Sequence, residues 1–388
     1  MRSFFSKASL YLLALVVLLM AFLTWSLRRQ HKLQARLVAL QSNSPRTQEQ
    51  RATQKAIALL CHALVADTQL TYTATATTWA SYGGKIMETQ ARITRAPKML
   101  SITYLNGDKQ GLHTGFSERS FWRQSGLGAP MKAFASTERD TTELATSRFA
   151  TLLENYSAQW KRRDKVDGRP VDVVELWPFE PVDGAAGPGK RLWIDCENSL
   201  ILKVETFNHQ LQPVMVTEMR DVTINPDIAP DTFKTQETIK ASAEKQPWIA
   251  EDMGRNVEAV KNKTGIAPPQ VAQSDLPPGF KLETVGTHRC PLTGNDDASE
   301  QAVPCEYAAL SRYTDGMNTL TLFSMKAPAP KDGKAAPGEE SCEFGPGALV
   351  TRDAGAVRLI AVGDLPPATL RRVLDKAQIE APASLAAN

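Results

Sequence analysis

The sequence predicts an α+β protein in three parts: an N-terminal transmembrane helix, an antiparallel half-barrel wrapped on helices, and a small C-terminal α+β domain. Three observations lead there. Residues 8–27, ASLYLLALVVLLMAFLTWSL, carry no charge. From Thr71 to Ile224 the chain falls into short segments rich in β-branched and aromatic residues, separated by turn dipeptides. Two other stretches carry apolar residues at helical spacing instead. A chain of 388 residues with 42% hydrophobic content has material for two cores.

Twenty uncharged residues at 1.5 Å each span about 30 Å, the thickness of a bilayer's hydrocarbon core. The segment between Lys7 and Arg28 is longer than the apolar region of a signal peptide, and no small-x-small cleavage site precedes Arg28 and Arg29. An uncleaved anchor is the expectation. Arg28, Arg29, Lys32 and Arg36 outnumber Arg2 and Lys7, a bias that by itself places the C-terminal bulk in the cytoplasm.

Downstream, residues 28–47 form a polar juxtamembrane stalk, and QEQRATQKAIALLCHALVA from Gln48 to Ala66 sets Ala56, Leu59, Leu60, Ala63 and Leu64 on one helical face. QLTYTATATTW, KIMETQARITRA and KMLSITYLNGDKQ then alternate as strands, the last ending in the hairpin signal Asn106-Gly107. GFSERSFWRQ adds one more short strand. TTELATSRFATLLENY, Thr141 to Tyr156, returns to helical spacing through Leu144, Phe149, Leu152 and Leu153. An Asp167-Gly168 turn opens the next strands, in which Trp193 and Asp195 share one face and Leu192 and Ile194 the other. Arg169 and Asp195 are placed to pair at a strand end.

Chemistry is sparse. GAAGPGKR, Gly184 to Arg191, comes close to a phosphate-binding loop, but Arg191 stands where a Ser or Thr would hold magnesium, and a strand follows rather than a helix. It reads as a hairpin loop. His31, His62, His113, His209 and His288 lack metal-ligand spacing, and no nucleophile–base signature occurs, so an enzyme is not expected and no cofactor is called for. Lys+Arg of 45 against Asp+Glu of 42, without a long basic run, excludes a nucleic-acid footprint. Of the five cysteines, Cys61, Cys196, Cys290, Cys305 and Cys342, the pair Cys290 and Cys305 brackets a polar loop that a disulfide would close, worth about 3 kcal/mol. The rival, a zinc site of His288, Cys290, Cys305 and Cys342, fits no compact ligand spacing.

LLENYSAQWKRRDKVDGRPVDVVELWP, RLWIDCENSLILKVETFN and VTEMRDVTINPDIAPDTF, followed by LPPGFKL, YTDGMNTLTLFSM and VGDLPPATLRRVLDKA, resemble in order the two domains of the RseB/MucB family. The resemblance runs from Gln48 to Ala377. It implies a large domain similar to the lipoprotein carriers LolA and LolB, residues 48–236, then a linker at 237–273, a small domain at 274–380 and a tail at 381–388. In that small domain a turn at Asp315-Gly316 feeds a strand, a second strand follows, and a helix closes the unit. The family's domains work outside the cytoplasm, and its members are usually soluble after signal cleavage; with the apolar segment 8–27 kept as an anchor in the cytoplasmic membrane, a departure from the family, residues 1–7 are expected inside and the bulk of the chain outside. It further implies an anti-sigma factor's extracytoplasmic domain as partner, with lipid or lipoprotein acyl chains as ligand. The residues expected to line an apolar cavity are Tyr72, Trp79, Phe121, Leu152, Tyr156 and Trp193. The alternative is a lipoprotein or lipid carrier, for which a retained anchor is a handicap.

Overall fold

The computed structural model describes residues 48–82, 85–117, 120–124, 131–135, 141–180, 187, 189–208, 210–229, 232–233, 250–289, 307–327, 339–344 and 347–379. From Ile57 onward the chain forms one compact unit. The anchor expected at 8–27 lies outside the described residues, among which no helix is long and apolar enough to cross a membrane. The Cys290–Cys305 pair also lies outside them, so of the four residues weighed for zinc only His288 and Cys342 are described. Cys61 and Cys196 carry free thiols.

Helix α1 (Gln48–Gln69) leads into eleven strands: β1 (Tyr72–Tyr82), β2 (Lys85–Ala96), β3 (Met99–Tyr104), β4 (His113–Ser117), β5 (Ser120–Gln124), β6 (Met131–Ala135), and, after helix α2 (Thr141–Asn155), β7 (Tyr156–Val166), β8 (Arg169–Pro178), β9 (Lys190–Asp195), β10 (Ile201–Phe207) and β11 (Pro213–Ile224). All pair antiparallel, in the spatial order β6-β5-β4-β3-β2-β1-β11-β10-β9-β8-β7. Every step but one joins chain neighbours. The exception seats β1 against β11, with Tyr72 opposite Ile224 and Trp79 opposite Val216.

Turn chemistry explains the tight steps. Asp167 and Gly168 both adopt positive φ, 48° and 77°, the conformation a two-residue hairpin demands and the one an Asp-Gly pair tolerates. Between β9 and β10 the Asp195 carboxylate accepts from the amides of Glu197 (2.7 Å) and Asn198 (3.3 Å), while its other oxygen takes the Arg169 guanidinium. The expected Arg169–Asp195 pair is therefore present, and it ties β8 to β9. GFSERSFWRQ is not one strand but two, β4 and β5, paired around Ser117 and Ser120; the short polar step is too weak a turn signal to split it. Lys190 and Arg191 open a strand, consistent with a hairpin rather than a phosphate loop.

Tyr72, Ala74, Val166, Val171, Val173, Trp193, Leu200 and Leu202 form a buried cluster of this sheet. Beside it a ladder of charges crosses four strands: Arg191 pairs with Glu175 (2.8 Å) and Glu205 (3.1 Å), and Lys203 with Glu205 (3.2 Å) and Glu218 (3.8 Å). Burial alone would raise the Glu175 carboxyl, but the Arg191 and Trp177 hydrogen bonds outweigh it and hold it below the usual range.

The small domain's strands continue the same sheet, joined to β1 by the antiparallel pair Tyr82–Phe344: β12 (Ala250–Asp252), β13 (Lys281–Arg289), β14 (Tyr307–Thr314), β15 (Thr319–Lys326), β16 (Glu339–Phe344), β17 (Gly347–Ala354) and β18 (Val357–Gly363), with helices α3 (Val257–Thr264) and α4 (Pro367–Lys376). Their order is β12-β13-β14-β15-β18-β17-β16, again antiparallel. Proline at the first turn starts α4, whose buried Leu370, Val373 and Leu374 pack with Leu320, Leu322 and Leu359 of the sheet. After Asp315-Gly316 the expected closing helix is present, but four strands, β15 to β18, stand where two were expected; the two-residue steps at 345–346 and 355–356 divide what reads as one run. The stretch expected as a linker differs. β12 pairs with β13, and Val260 of α3 joins Val285 and Ala309 in a cluster, so residues 250–264 belong to the small domain. Their apolar residues are few and hidden among charges, which is why they read as linker.

Candidate functional site

The residues with the most specific geometry lie where the two domains meet. Helix α2 passes into β7 with no loop between them, and Asn155 and Tyr156, at that joint, face the β14–β15 turn of the small domain. Asp315 organises the turn: one oxygen accepts from the amides of Met317 (2.8 Å) and Asn318 (2.6 Å). The other accepts from the Tyr156 hydroxyl (2.5 Å) and the Asn318 amide nitrogen (3.0 Å). Asn318 Nδ2 also donates to the Tyr156 oxygen (3.0 Å). Asp315 is thereby buried, at 3% exposure, while Gly316, Met317 and Asn318 of the turn are half-buried.

Asn155 fixes the backbone on both sides. Its Nδ2 donates to the carbonyl oxygens of Asp315 (2.9 Å) and Gly279 (3.1 Å) and to Thr151 in its own helix (3.0 Å). One turn earlier Leu152 meets Gly316, where φ is +95° and a Cβ would fall 2.2 Å from the Leu152 nitrogen. Only glycine fits that approach. One turn earlier again, Arg148 binds Glu283 through two parallel bonds of 2.7 and 2.8 Å. Arg148, Leu152 and Asn155 follow the i, i+4, i+7 spacing of one helix stripe.

Electrostatics at the joint follow from burial. The Tyr156 phenol is pushed far above the ordinary tyrosine range by desolvation, then by the Asp315 charge and the hydrogen bond it donates there. Nearby, burial holds the Lys190 ammonium below its usual range while Asp364 and Asp315 oppose it; its Nζ lies 3.5 Å from the Met317 carbonyl oxygen. Gly189 admits Met317: a Cβ there would stand 2.5 Å from the methionine Cε. Nothing in this set pairs an acid with a base around an open centre. It is a joint between the two domains, held by directional hydrogen bonds.

Of the six expected cavity residues, the five whose side chains are described fall in three places. Leu152 and Tyr156 meet the small domain. Tyr72 and Trp193 share the buried cluster of the large domain, with Lys203 Nζ 4.8 Å from the Trp193 ring and the indole donating to Asp164 (3.2 Å). Trp79 stands apart and donates to Glu88 (3.0 Å). The Phe121 side chain lies outside the described ones. Sequence reasoning misses Arg148, Asn155 and Glu283; nothing in a single sequence links positions 135 apart. The Asp315–Asn318 turn does announce itself, but as a turn, not as a contact.

Residues 55–237 match the family model described as the MucB/RseB N-terminal domain. This part of the chain belongs to the MucB/RseB family. The fold of the MucB/RseB domain, and of the small domain after it, is also that of solved structures. A chain of the Pseudomonas aeruginosa MucA/MucB complex is 18% identical, with 84% of this chain and 99% of that one covered at a TM-score of 0.55. MucB in complex with MucA(peri) is 17% identical, with 84% and 99% covered at 0.50, and MucB by itself is 17% identical, with 84% and 98% covered at 0.50. No curated protein matches the sequence. The matched span exceeds the MucB/RseB domain, so the likeness takes in the small domain that docks on Asn155 and Tyr156.

Proposed function

We propose that this chain is an extracytoplasmic binding protein that engages the outer part of a membrane anti-sigma factor and so regulates envelope-stress signalling, without catalysis of its own. The observation that carries the reading is the two-domain likeness to MucB over 84% of the chain, in a structure solved as a complex with MucA. At 18% identity that likeness speaks for the fold. The partner is this reading's own step. Residues 8–27 serve as an uncleaved single-pass anchor with the N-terminus inside, and a disulfide joins Cys290 to Cys305 in the oxidising compartment. Lipid or lipoprotein acyl chains are the ligand, taken on the apolar rows of a LolA/LolB-like half-barrel that includes Tyr72.

The test is a titration of residues 48–388 with the extracytoplasmic fragment of a one-span protein encoded beside a sigma factor. Saturable binding supports the reading, and its absence for every such fragment in the source genome removes it. A C-terminal alkaline phosphatase fusion reads the topology, and an inactive fusion beside an active cytoplasmic reporter overturns it. Freely alkylated Cys290 and Cys305 in unreduced protein would remove the disulfide. The second reading, a carrier of lipid or lipoprotein, is favoured if a fluorescent fatty acid binds while no partner fragment does.

A further inference from the structure

Helix α2 is part of the large domain by sequence, yet its most specific contacts are with the small one. Among its described side chains, from Thr146 to Asn155, none is fully buried; Phe149, Leu152 and Leu153 are half-buried. Helix α4 is the contrast, with Leu370, Val373 and Leu374 sealed against the small domain's own strands. What grips α2 is polar and directional: the two Arg148–Glu283 bonds, Asn155 on the Gly279 and Asp315 carbonyls, and Lys281 to Glu154 at 2.6 Å. Glycines at 279 and 316 let the small domain close on the helix; a Cβ at Gly279 would stand 2.7 Å from Asn155 Cγ. An element with little apolar burial and strong links to one neighbour opens with that neighbour.

We propose that α2 is a strap shared between the domains: it is tied to the large one by its passage into β7 and by the Phe179 amide on the Asn155 carbonyl (2.9 Å), yet it moves with the small domain when that domain shifts. A ligand that needs the surface beside α2 then binds better to the shifted arrangement, and by linkage its binding loosens the small domain's docking. That second half rests on the acyl-chain reading above; the first half does not.

Native-state hydrogen exchange on the full chain, without ligand or partner, tests the first half. Amides of 146–155 are expected to exchange as one unit with 279–283 and 314–318, and Asn155→Ala or the milder Glu283→Gln should raise exchange in all three segments by about tenfold, the loss of one or two hydrogen bonds. The swap of Arg148→Glu with Glu283→Arg should restore much of the protection. If 146–155 exchanges with β7 and β8 while 314–318 opens independently, the strap is overturned. For the second half, Arg148→Cys with Glu283→Cys, in a chain with Cys61, Cys196 and Cys342 replaced by Ser and joined by a bismaleimide that spans the gap the Arg–Glu pair fills, should weaken fluorescent fatty acid binding relative to the unlinked form. Equal binding in both forms overturns the coupling. No binding in either form instead defeats the acyl-chain reading and, with it, this half, leaving the exchange result to stand alone.

Discussion

Tyr156 and Asp315, 159 residues apart in sequence, share a hydrogen bond of 2.5 Å at the point where a helix of one domain becomes a strand. The phenol is a fitting donor there because the other Asp315 oxygen is taken up by the amides of its own turn. Tyr156→Phe keeps the ring and removes the donor, leaving the buried carboxylate with Asn318 alone on that oxygen. The expected cost is about 1–3 kcal/mol. Urea unfolding followed by circular dichroism measures it, and a change within error would show that the bond contributes nothing net.

The same pair sets a pH dependence at the alkaline end. Folding keeps the Tyr156 phenol protonated, so its folded ionisation point lies above the unfolded one. Its contribution is therefore complete below about pH 10 and is lost as pH rises beyond that value. An ultraviolet titration should show Tyr156 and the likewise buried Tyr313 ionising later than the less buried tyrosines, and Tyr156→Phe should reduce the number that ionise late by one.

Two glycines with positive φ should behave differently. Gly355 has φ +64° and nothing within 4 Å of the point a Cβ would occupy, so Gly355→Ala incurs only the conformational cost, about 1 kcal/mol. Gly316 has φ +95° and main-chain atoms of Leu152 in the way, so Gly316→Ala should cost several times more and should disturb the domain joint. Thermal unfolding of both variants checks the ratio.

At the β8–β9 corner, Asp195 is fully enclosed and its guanidinium partner only a quarter exposed. Arg169→Met strands that charge with the two turn amides, at an expected cost of about 2 kcal/mol after allowance for solvent at the arginine. Arg169→Lys keeps a cation there without the planar fork and should recover part of the loss. Melting temperatures of the two variants against the parent chain measure both effects.

The repeating parts of this architecture are legible in the sequence and the joining parts are not. Asp167-Gly168 announces its hairpin because few residue pairs accept positive φ twice, and the Arg169–Asp195 pair follows from the alternation of β8 and β9. Local rules of that kind hold within a few residues. The Arg148–Glu283 and Asn155–Gly279 contacts depend on how two folded surfaces meet, and neither side chain differs in pattern from any solvated polar residue on a helix. Residues 250–264 escape notice for a related reason: α3 buries Val260 alone, too little for a periodic signal.

The place of β1 between β2 and β11 has a kinetic side. The β1–β2 hairpin and the run from β7 to β11 join strands adjacent in the chain, so each can form as soon as its own residues are available. Bringing Tyr72 to Ile224 closes a loop that contains the whole domain, and so long a chain must be ordered before the pairing stabilises it. Among the strand pairings of this domain, closure of β1 on β11 is therefore the one expected to form last. A chain made from its N-terminus holds the edge of β1 open until the last strand is complete, and through that interval it is most exposed to pairing with the wrong neighbour.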